Sequence, residues 1–302
     1  KYAQKLVPAE NKMLALHYSV NPDAAVIIIP RNTIIEKPIQ INSKIDAASS
    51  IAEESIIIIA EERSQATVIE NNATSDTHAL FKSKIVQVFL EPRAQIHYCT
   101  LHNEKAGTHA FAAKRAEVLQ DANITWLDIM VGEGVNQLQV RSHLRENGAE
   151  AQQYQALVGS KAQQSDVNSE AFHQHSNTKS VLLAKGIFAD TSRGMHRGTI
   201  RVEKDAANCQ GHQRSDMLLI GDEARCNAIP ILEVENDDVS CSHGTTMGQL
   251  DEENLYYMLS RGLDEGNARN LLALAFLEPI LQKIENEELI EKLSSIIEQK
   301  IK

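Results

Sequence analysis

The chain has 302 residues, with 30 lysines and arginines against 41 aspartates and glutamates, so its formal net charge is −11. This length allows one large domain or two smaller ones, and it can bury most of its apolar surface without disulfides. The negative balance and an aromatic content of 4% disfavour nucleic-acid binding, which relies on clustered basic residues and aromatic platforms. No Lys/Arg-rich amphipathic stretch predicts binding to a membrane surface.

The N-terminus does not predict a signal peptide, because Lys5, Glu10 and Lys12 interrupt the first apolar positions. The longest apolar runs, 26–29 and 56–60, are far shorter than the roughly 20 residues of a membrane helix. The four cysteines form no CxxC pair, which disfavours a closed structural zinc site. We therefore expect reduced thiols in a cytoplasmic protein.

From about residue 20 to residue 245 the sequence predicts β-strands. Short β-branched runs recur at irregular spacings, separated by polar turns rich in Asn, Asp, Gly and Ser. In one run, Leu138, Val140 and Leu144 alternate with polar residues, as in a half-buried strand. Long helical patterns are scarce here, which disfavours βαβ units. Periodicity leaves a sandwich, a barrel and a β-helix open, since no repeat of fixed length distinguishes them.

After residue 250 the pattern becomes helical. Asp251 and Asp264 are suited to cap two successive helices, and Gly262 is suited to end the first. Pro279 lies late in the second pattern and predicts a kink or a break. A third amphipathic stretch has apolar residues at helical spacing, namely Leu289, Ile290, Leu293, Ile296, Ile297 and Ile301.

The most unusual segment, 236–250, contains Cys241 and His243 two residues apart. On an extended strand both side chains project from the same face. A thiolate beside an imidazole can bind iron, zinc, copper or an iron–sulfur species, and it can also act as a nucleophile and its base. The structural alternative is a buried cysteine and a hydrogen-bonded histidine at a strand-to-helix junction.

Two further groups of polar residues are candidate sites. His173 and His175 have the same spacing and would suit a metal-dependent site, but no third ligand is evident, so a polar, solvated strand face is preferred. Arg193, His196 and Arg197 form a basic cluster, which we interpret as a turn with solvated charges. The sequence contains no GxGxxG, phosphate-loop or GxSxG motif.

From residue 181 onward the sequence resembles the SufB/SufD family of iron–sulfur cluster assembly proteins. The resemblance rests on an ordered series of motifs: GIFADTSRGMHRGTIRV at 186–202, AANCQGHQRSDMLLI at 206–220, PILEV at 230–234, DDV at 237–239, CSHG at 241–244 and LDEENLYYMLSRGL at 250–263. The CSHG form is similar to the SufD branch. SufB-type chains carry a cysteine and a glutamate where this sequence has Ser215 and Gly244.

The resemblance implies a mainly β fold with three parts. These are an N-terminal segment (1–20), a right-handed parallel β-helix core (21–248) and a small α-helical C-terminal domain (249–302). Many family members carry a long helical N-terminal domain, so we expect this chain to be a short or trimmed form.

The resemblance also implies a non-catalytic scaffold subunit of an assembly complex. Such a subunit pairs with a SufB-like protein and docks a SufC-like ABC ATPase, and we expect a homodimer when the chain is isolated. The implied cofactor is iron or a transient iron–sulfur cluster at the partner interface, with none held tightly by the lone chain. His243 is the implied ligand, with Cys241 as the second candidate.

The implied ATPase-docking surface is the helical region 251–285. We expect about half of its candidate residues to pack internally instead; they are Tyr256, Tyr257, Leu259, Arg261 and Leu263. The rival hypothesis is an enzyme, either a β-helix carbohydrate lyase or hydrolase, or a metal-dependent oxygenase using His173 and His175. A carbohydrate-acting β-helix needs a groove with aromatic side chains that stack on sugars. With a single tryptophan, Trp126, and few tyrosines, this sequence offers little material for such a groove.

Overall fold

The computed structural model describes residues 11–20, 23–45, 50–74, 79–284 and 287–301. These ranges contain sixteen strands and four helices, numbered in chain order. The strands are β1 (Ala25–Ile29), β2 (Ile34–Ile45), β3 (Ile51–Ala60), β4 (Gln65–Thr74), β5 (Leu80–Leu90), β6 (Gln95–Asn103), β7 (Thr108–Val118), β8 (Asn123–Met130), β9 (Val135–Leu144), β10 (Glu150–Gly159), β11 (Gln164–His173), β12 (Lys179–Ala189), β13 (Arg193–Val202), β14 (Cys209–Ile220), β15 (Arg225–Val234) and β16 (Val239–Gln249). The helices are α1 (Lys12–Val20), α2 (Glu252–Ser260), α3 (Glu265–Leu281) and α4 (Glu287–Lys300).

The strands form two parallel eight-stranded sheets that face each other in a solenoid. Sheet A contains the odd-numbered strands in the order β1 to β15, and sheet B contains the even-numbered strands in the order β16 to β2. Each coil therefore gives one strand to each sheet. The prediction of a mainly β, parallel β-helix core followed by a small helical region is confirmed.

The coils differ in length, which explains why the sequence has no repeat of fixed period. His109 pairs with Val135, 26 positions later, whereas Arg193 pairs with Arg225, 32 positions later. Loops of different length between strands of similar length absorb this variation. Each coil repeats the same structure, with one strand on each sheet. Because the number of residues per coil varies, the sequence shows no repeat of fixed length.

The core lies between the two sheets. Alternate residues of each strand point inward and stack on the equivalent residues of neighbouring coils, such as Val86, Val88 and Leu90 of β5 and Ile124 and Trp126 of β8. A coil cannot bury this face alone, so stacked neighbours create one continuous core. This packing explains the β-branched runs in the sequence.

Helices pack on part of the outer face of each sheet. Residues of α3 and α4, such as Leu277 and Ile297, pack on Leu127 and Ile129 of sheet B. The sequence patterns of these helices are confirmed in detail, since Asp251 and Asp264 accept backbone hydrogen bonds as N-caps and Gly262 ends the first helix with a φ of 92°. The helix does not break at Pro279, because α3 continues to Leu281.

Helix α1 was not predicted. It packs on the outer face of sheet A, where Leu14 joins Ile57 and Phe89 in a separate apolar cluster. His17, on the side of α1 that faces the sheet, is completely buried. Its ring is hydrogen-bonded to Ser83 Oγ at 2.9 Å and to Ser55 Oγ at 2.8 Å. Of the helices in the described ranges, none has the length and apolar character needed to cross a membrane.

Candidate functional site

The solenoid is open at its C-terminal end. The last strands, β15 of sheet A and β16 of sheet B, are each paired on one side only within the described residues. Their free edges present backbone N–H and C=O groups, which is how one strand accepts another. Three large apolar side chains are exposed on these two strands: Ile229, Val234 and Met247.

Cys241 and His243 lie on β16 at this open end. Cys241 stands opposite Gly211 of β14, and His243 stands opposite Gln213. The predicted extended geometry is thus present, with both side chains on the same face of the strand. A Cβ added at Gly211 would lie 3.3 Å from Cys241 Sγ and 2.9 Å from Ile200, so the glycine makes room for the thiol.

The two side chains differ in environment. Cys241 is half-buried, and burial raises the pKa of its thiol, although a backbone hydrogen bond at Gly211 opposes the change. His243 is exposed, and its ring has no hydrogen-bond partner in the described ranges. No group of three or more His, Cys, Asp or Glu residues suited to a metal exists in the described part of the chain.

A polar group that the sequence did not identify lies behind this pair. Gln213 is buried, and its Nε2 donates to the carbonyl of Ile231 at 3.1 Å. Its Oε1 has no hydrogen-bond partner among the described residues. Ser215, the next inward residue, is hydrogen-bonded to His196 Nδ1 at 2.9 Å. Burial, with a smaller contribution from Arg197, lowers the pKa of His196 to about 4, so this imidazole is neutral.

The polar interior continues toward the N-terminal coils. One register position of sheet B carries, in successive coils from the open end, Thr245, Ser215, Ala184, Gln155, Asp128, Thr100 and Glu70. Both polar atoms of the Gln155 amide are buried and find no hydrogen-bond partner in the part of the chain that the structure describes. The sequence gives no signal for this column, because its members are unremarkable until the strand register aligns them.

The column ends in a buried ion cluster, defined here as Lys82, Lys84 and Lys114 of sheet A with Glu70 and Asp128 of sheet B. Lys84 contacts Glu70, and Lys114 contacts Asp128. All five side chains are nearly inaccessible to solvent. Burial alone would raise the pKa of Glu70, but the lysine charges lower it to about 2, so the carboxylate stays ionised.

The side chains of His173 and His175 do not lie together in one site. His173 is fully buried, with Nδ1 bonded to Thr178 Oγ1 and Nε2 bonded to Ser180 Oγ, each at 2.8 Å. Burial lowers the pKa of His173 to about 4. His175 is exposed beyond the end of β11. The predicted solvated strand face is therefore wrong for His173, whose two ring nitrogens are both occupied by hydroxyl groups.

The basic cluster is also different from the prediction. Arg193, His196 and Arg197 lie within β13 and not in a turn. Strand alternation sends His196 into the core, while Arg197 projects outward and pairs with Asp166 at 2.5 Å. These residues therefore do not form one cationic surface.

A comparison with protein-family models matches residues 43–276 to the SUF system FeS cluster assembly, SufBD core domain. The chain belongs to this SufBD family. It is 26% identical over 297 residues to an iron–sulfur cluster assembly SufBD family protein of Staphylococcus saprophyticus. It is 27% identical over 293 residues to one of Staphylococcus aureus strain MRSA252. Each alignment covers 96% of this chain and 63% of the relative, so the chain spans less than two thirds of their length.

The predicted docking residues of this SufBD chain lie mostly on its surface. Tyr256, Tyr257 and Leu259 of α2 are 74%, 56% and 37% exposed, and Arg261 is exposed with its guanidinium 5.0 Å from the Tyr257 ring. Leu263 is half-buried. The expectation that about half of the five pack internally is therefore wrong. Helix α2 buries none of its nine residues in the described structure.

Proposed function

We propose that the chain is a SufD-like scaffold subunit of an iron–sulfur cluster assembly complex, and that it pairs with a SufB-like protein through the open end of the solenoid. The observation that carries the proposal is the free edge of β16, which bears Cys241 and His243. Family membership supports the assembly role. An isolated chain would use the same edges against a second copy, in a two-fold homodimer.

The donor set suits a cluster that is cargo and not a resident cofactor. Cys241 and His243 are one soft and one intermediate ligand, fewer than a stable cluster requires. A thiolate from the partner would complete the site at the interface. Because His243 is exposed and the Cys241 thiol must lose a proton before it binds iron, the site favours transient occupancy.

His243→Ala is expected to lower the yield of cluster at least about tenfold, because it removes an imidazole donor from an already incomplete site. The chain is co-purified with the SufB-like and SufC-like proteins of the same cell, supplied anaerobically with iron and sulfide, and followed by visible absorption. His212→Ala is the matched control, since His212 lies on the neighbouring strand and is bonded to Ser242 Oγ at 2.8 Å. Full cluster yield from an intact His243→Ala complex would remove His243 from the site.

We further propose that a SufC-like ATPase docks on α2. The chain itself has no phosphate-loop motif, so ATP hydrolysis would belong to the partner. Tyrosine and arginine are enriched among the residues that dominate binding interfaces, and α2 exposes Tyr256 and Tyr257 beside Arg261. The exposed Leu259 adds apolar area to the same surface.

The double variant Tyr256→Ala/Leu259→Ala is expected to weaken capture of the ATPase at least about tenfold, because an aromatic anchor and the apolar surface beside it are lost. Point variants are preferable to removal of 251–302, which would uncover the apolar outer face of sheet B. Leu16→Ala is the control, since Leu16 on α1 is similarly exposed at 40%. Undiminished capture by a folded double variant would move the docking surface onto the solenoid.

A further inference from the structure

A cleft of about 430 Å³ lies between the last turn of α4 and one corner of the solenoid. The corner consists of stacked turns that connect strands of sheet B to strands of sheet A. Its polar lining includes Asn103, Lys105, Glu133, Ser160, Lys161 and Lys300.

Lys300 is the unusual member of this lining. Its Nζ donates to the carbonyl of Gly132 at 3.1 Å and to Gln163 Oε1 at 2.9 Å. Both acceptors are neutral, and no carboxylate of the described residues forms an ion pair with Lys300. An ammonium group has three N–H donors, so one remains after these two bonds.

The charges around the cleft suit the binding of an anion. Burial lowers the pKa of Lys300 to about 8; Glu133 opposes this change, and Lys161 and Lys105 reinforce it. The nearby carboxylates are already engaged, since Glu133 pairs with Lys161 Nζ at 3.2 Å and Asp190 accepts from the Lys161 backbone N–H at 2.8 Å. Burial of a cation without an opposite charge is unfavourable, and an anion would relieve it.

We propose that this cleft binds a small oxyanion of the phosphate class through the ammonium groups of Lys300 and Lys105, and through the N–H donors of Lys161 that its pair with Glu133 leaves available. The Ser160 hydroxyl and the Asn103 amide line the same space and are available as neutral donors. An anion held there would tie the end of α4 to the stacked turns of the solenoid. None of the residues that line this cleft belongs to α2 or to the Cys241/His243 pair.

The test is calorimetric titration of the full chain with inorganic phosphate and with pyrophosphate, alongside thermal unfolding at each concentration. Saturable binding and a rise in the unfolding temperature are expected. Lys300→Met should weaken binding at least about tenfold, because the buried charge is lost. Lys283→Met is the control: this lysine also belongs to the helical region, but its ammonium lies 5.3 Å from the Tyr154 ring.

Loss of Lys300 could also loosen α4, so a second variant tests the anion alone. Lys105→Met/Lys161→Met changes exposed residues on solenoid turns, and it is expected to weaken binding several-fold while α4 stays packed. Absence of saturable binding up to about 10 mM of either anion would overturn the proposal. So would equal weakening by Lys283→Met, which would indicate unspecific charge attraction.

Discussion

Lys114→Met is expected to lower the free energy of unfolding by about 3–5 kcal/mol, the usual cost of breaking a buried ion pair. Lys114 contacts the Asp128 carboxylate, and its ammonium lies 4.9 Å from the Tyr98 ring and 5.5 Å from the Trp126 ring. Methionine fills similar space without charge. The variant would leave Asp128 as a fully buried anion with His102 as its remaining neighbour, at 2.9 Å.

Urea denaturation of the purified chain measures this effect. Lys179→Met is the matched control, because Lys179 and Glu150 form an exposed pair at 3.0 Å and its loss should change the free energy by less than about 1 kcal/mol. The double variant Lys114→Met/Asp128→Leu is expected to recover much of the loss, since it leaves no unpaired charge. A single variant as stable as the parent would contradict the assigned coupling between the two groups.

The location of the loss is also predicted. Each coil contacts only its neighbours, so stability in a solenoid is approximately a sum of local terms. Lys114 and Asp128 belong to β7 and β8, in the N-terminal half of the strand order. The open end at β15 and β16 should therefore keep its hydrogen-exchange protection in Lys114→Met, and pairing through that end should survive.

The sequence was sufficient for the architecture because its signals are local. Asp251, Asp264 and Gly262 each predict a helix end from their own chemistry. The β-branched runs predict strands, and the family motifs select the solenoid. Helix α1 was missed because it has only nine residues and depends on tertiary packing, including the burial of His17.

The polar interior could not be predicted, because it depends on register. In β5, Lys82 and Lys84 share the inward face with Val86 and Val88, which conflicts with the usual rule that lysines face solvent. Only pairing across coils supplies the carboxylates that neutralise them. The same holds for the candidate site: the motif identifies Cys241 and His243, but the role of Gln213 appears only when β14 pairs with β16.

Acidification from pH 7 to pH 4 is expected to destabilise the protein strongly, because buried histidines must be neutral in the folded state. The ordinary pKa is 6.5, whereas that of His173 and His196 is about 4. Between these values the unfolded chain binds protons and the folded chain does not. The contribution of these histidines to the unfolding free energy is therefore fully present above about pH 6.5. It is lost as the pH drops toward 4, by about 3 kcal/mol for each histidine.

The buried carboxylates affect stability at lower pH than the histidines do. The pKa of Glu70 is lowered from 4.5 to about 2, so its contribution is present above pH 4.5 and is lost only as the pH falls toward 2. The histidine and carboxylate losses should therefore appear as two successive regions in a plot of unfolding free energy against pH. Urea titrations at a series of pH values from 7 to 2 would resolve them.

His196→Gln is the decisive variant. Glutamine can still hydrogen-bond to Ser169 and Ser215, which flank the His196 ring at 3.3 and 2.9 Å, but it does not titrate. Between pH 6.5 and 4, the slope of unfolding free energy against pH reports how many more protons the unfolded chain binds than the folded chain. In His196→Gln this number should be smaller by close to one, even if the variant is less stable at pH 7. An unaltered slope in His196→Gln would mean that the buried imidazole already carries its proton in the folded protein.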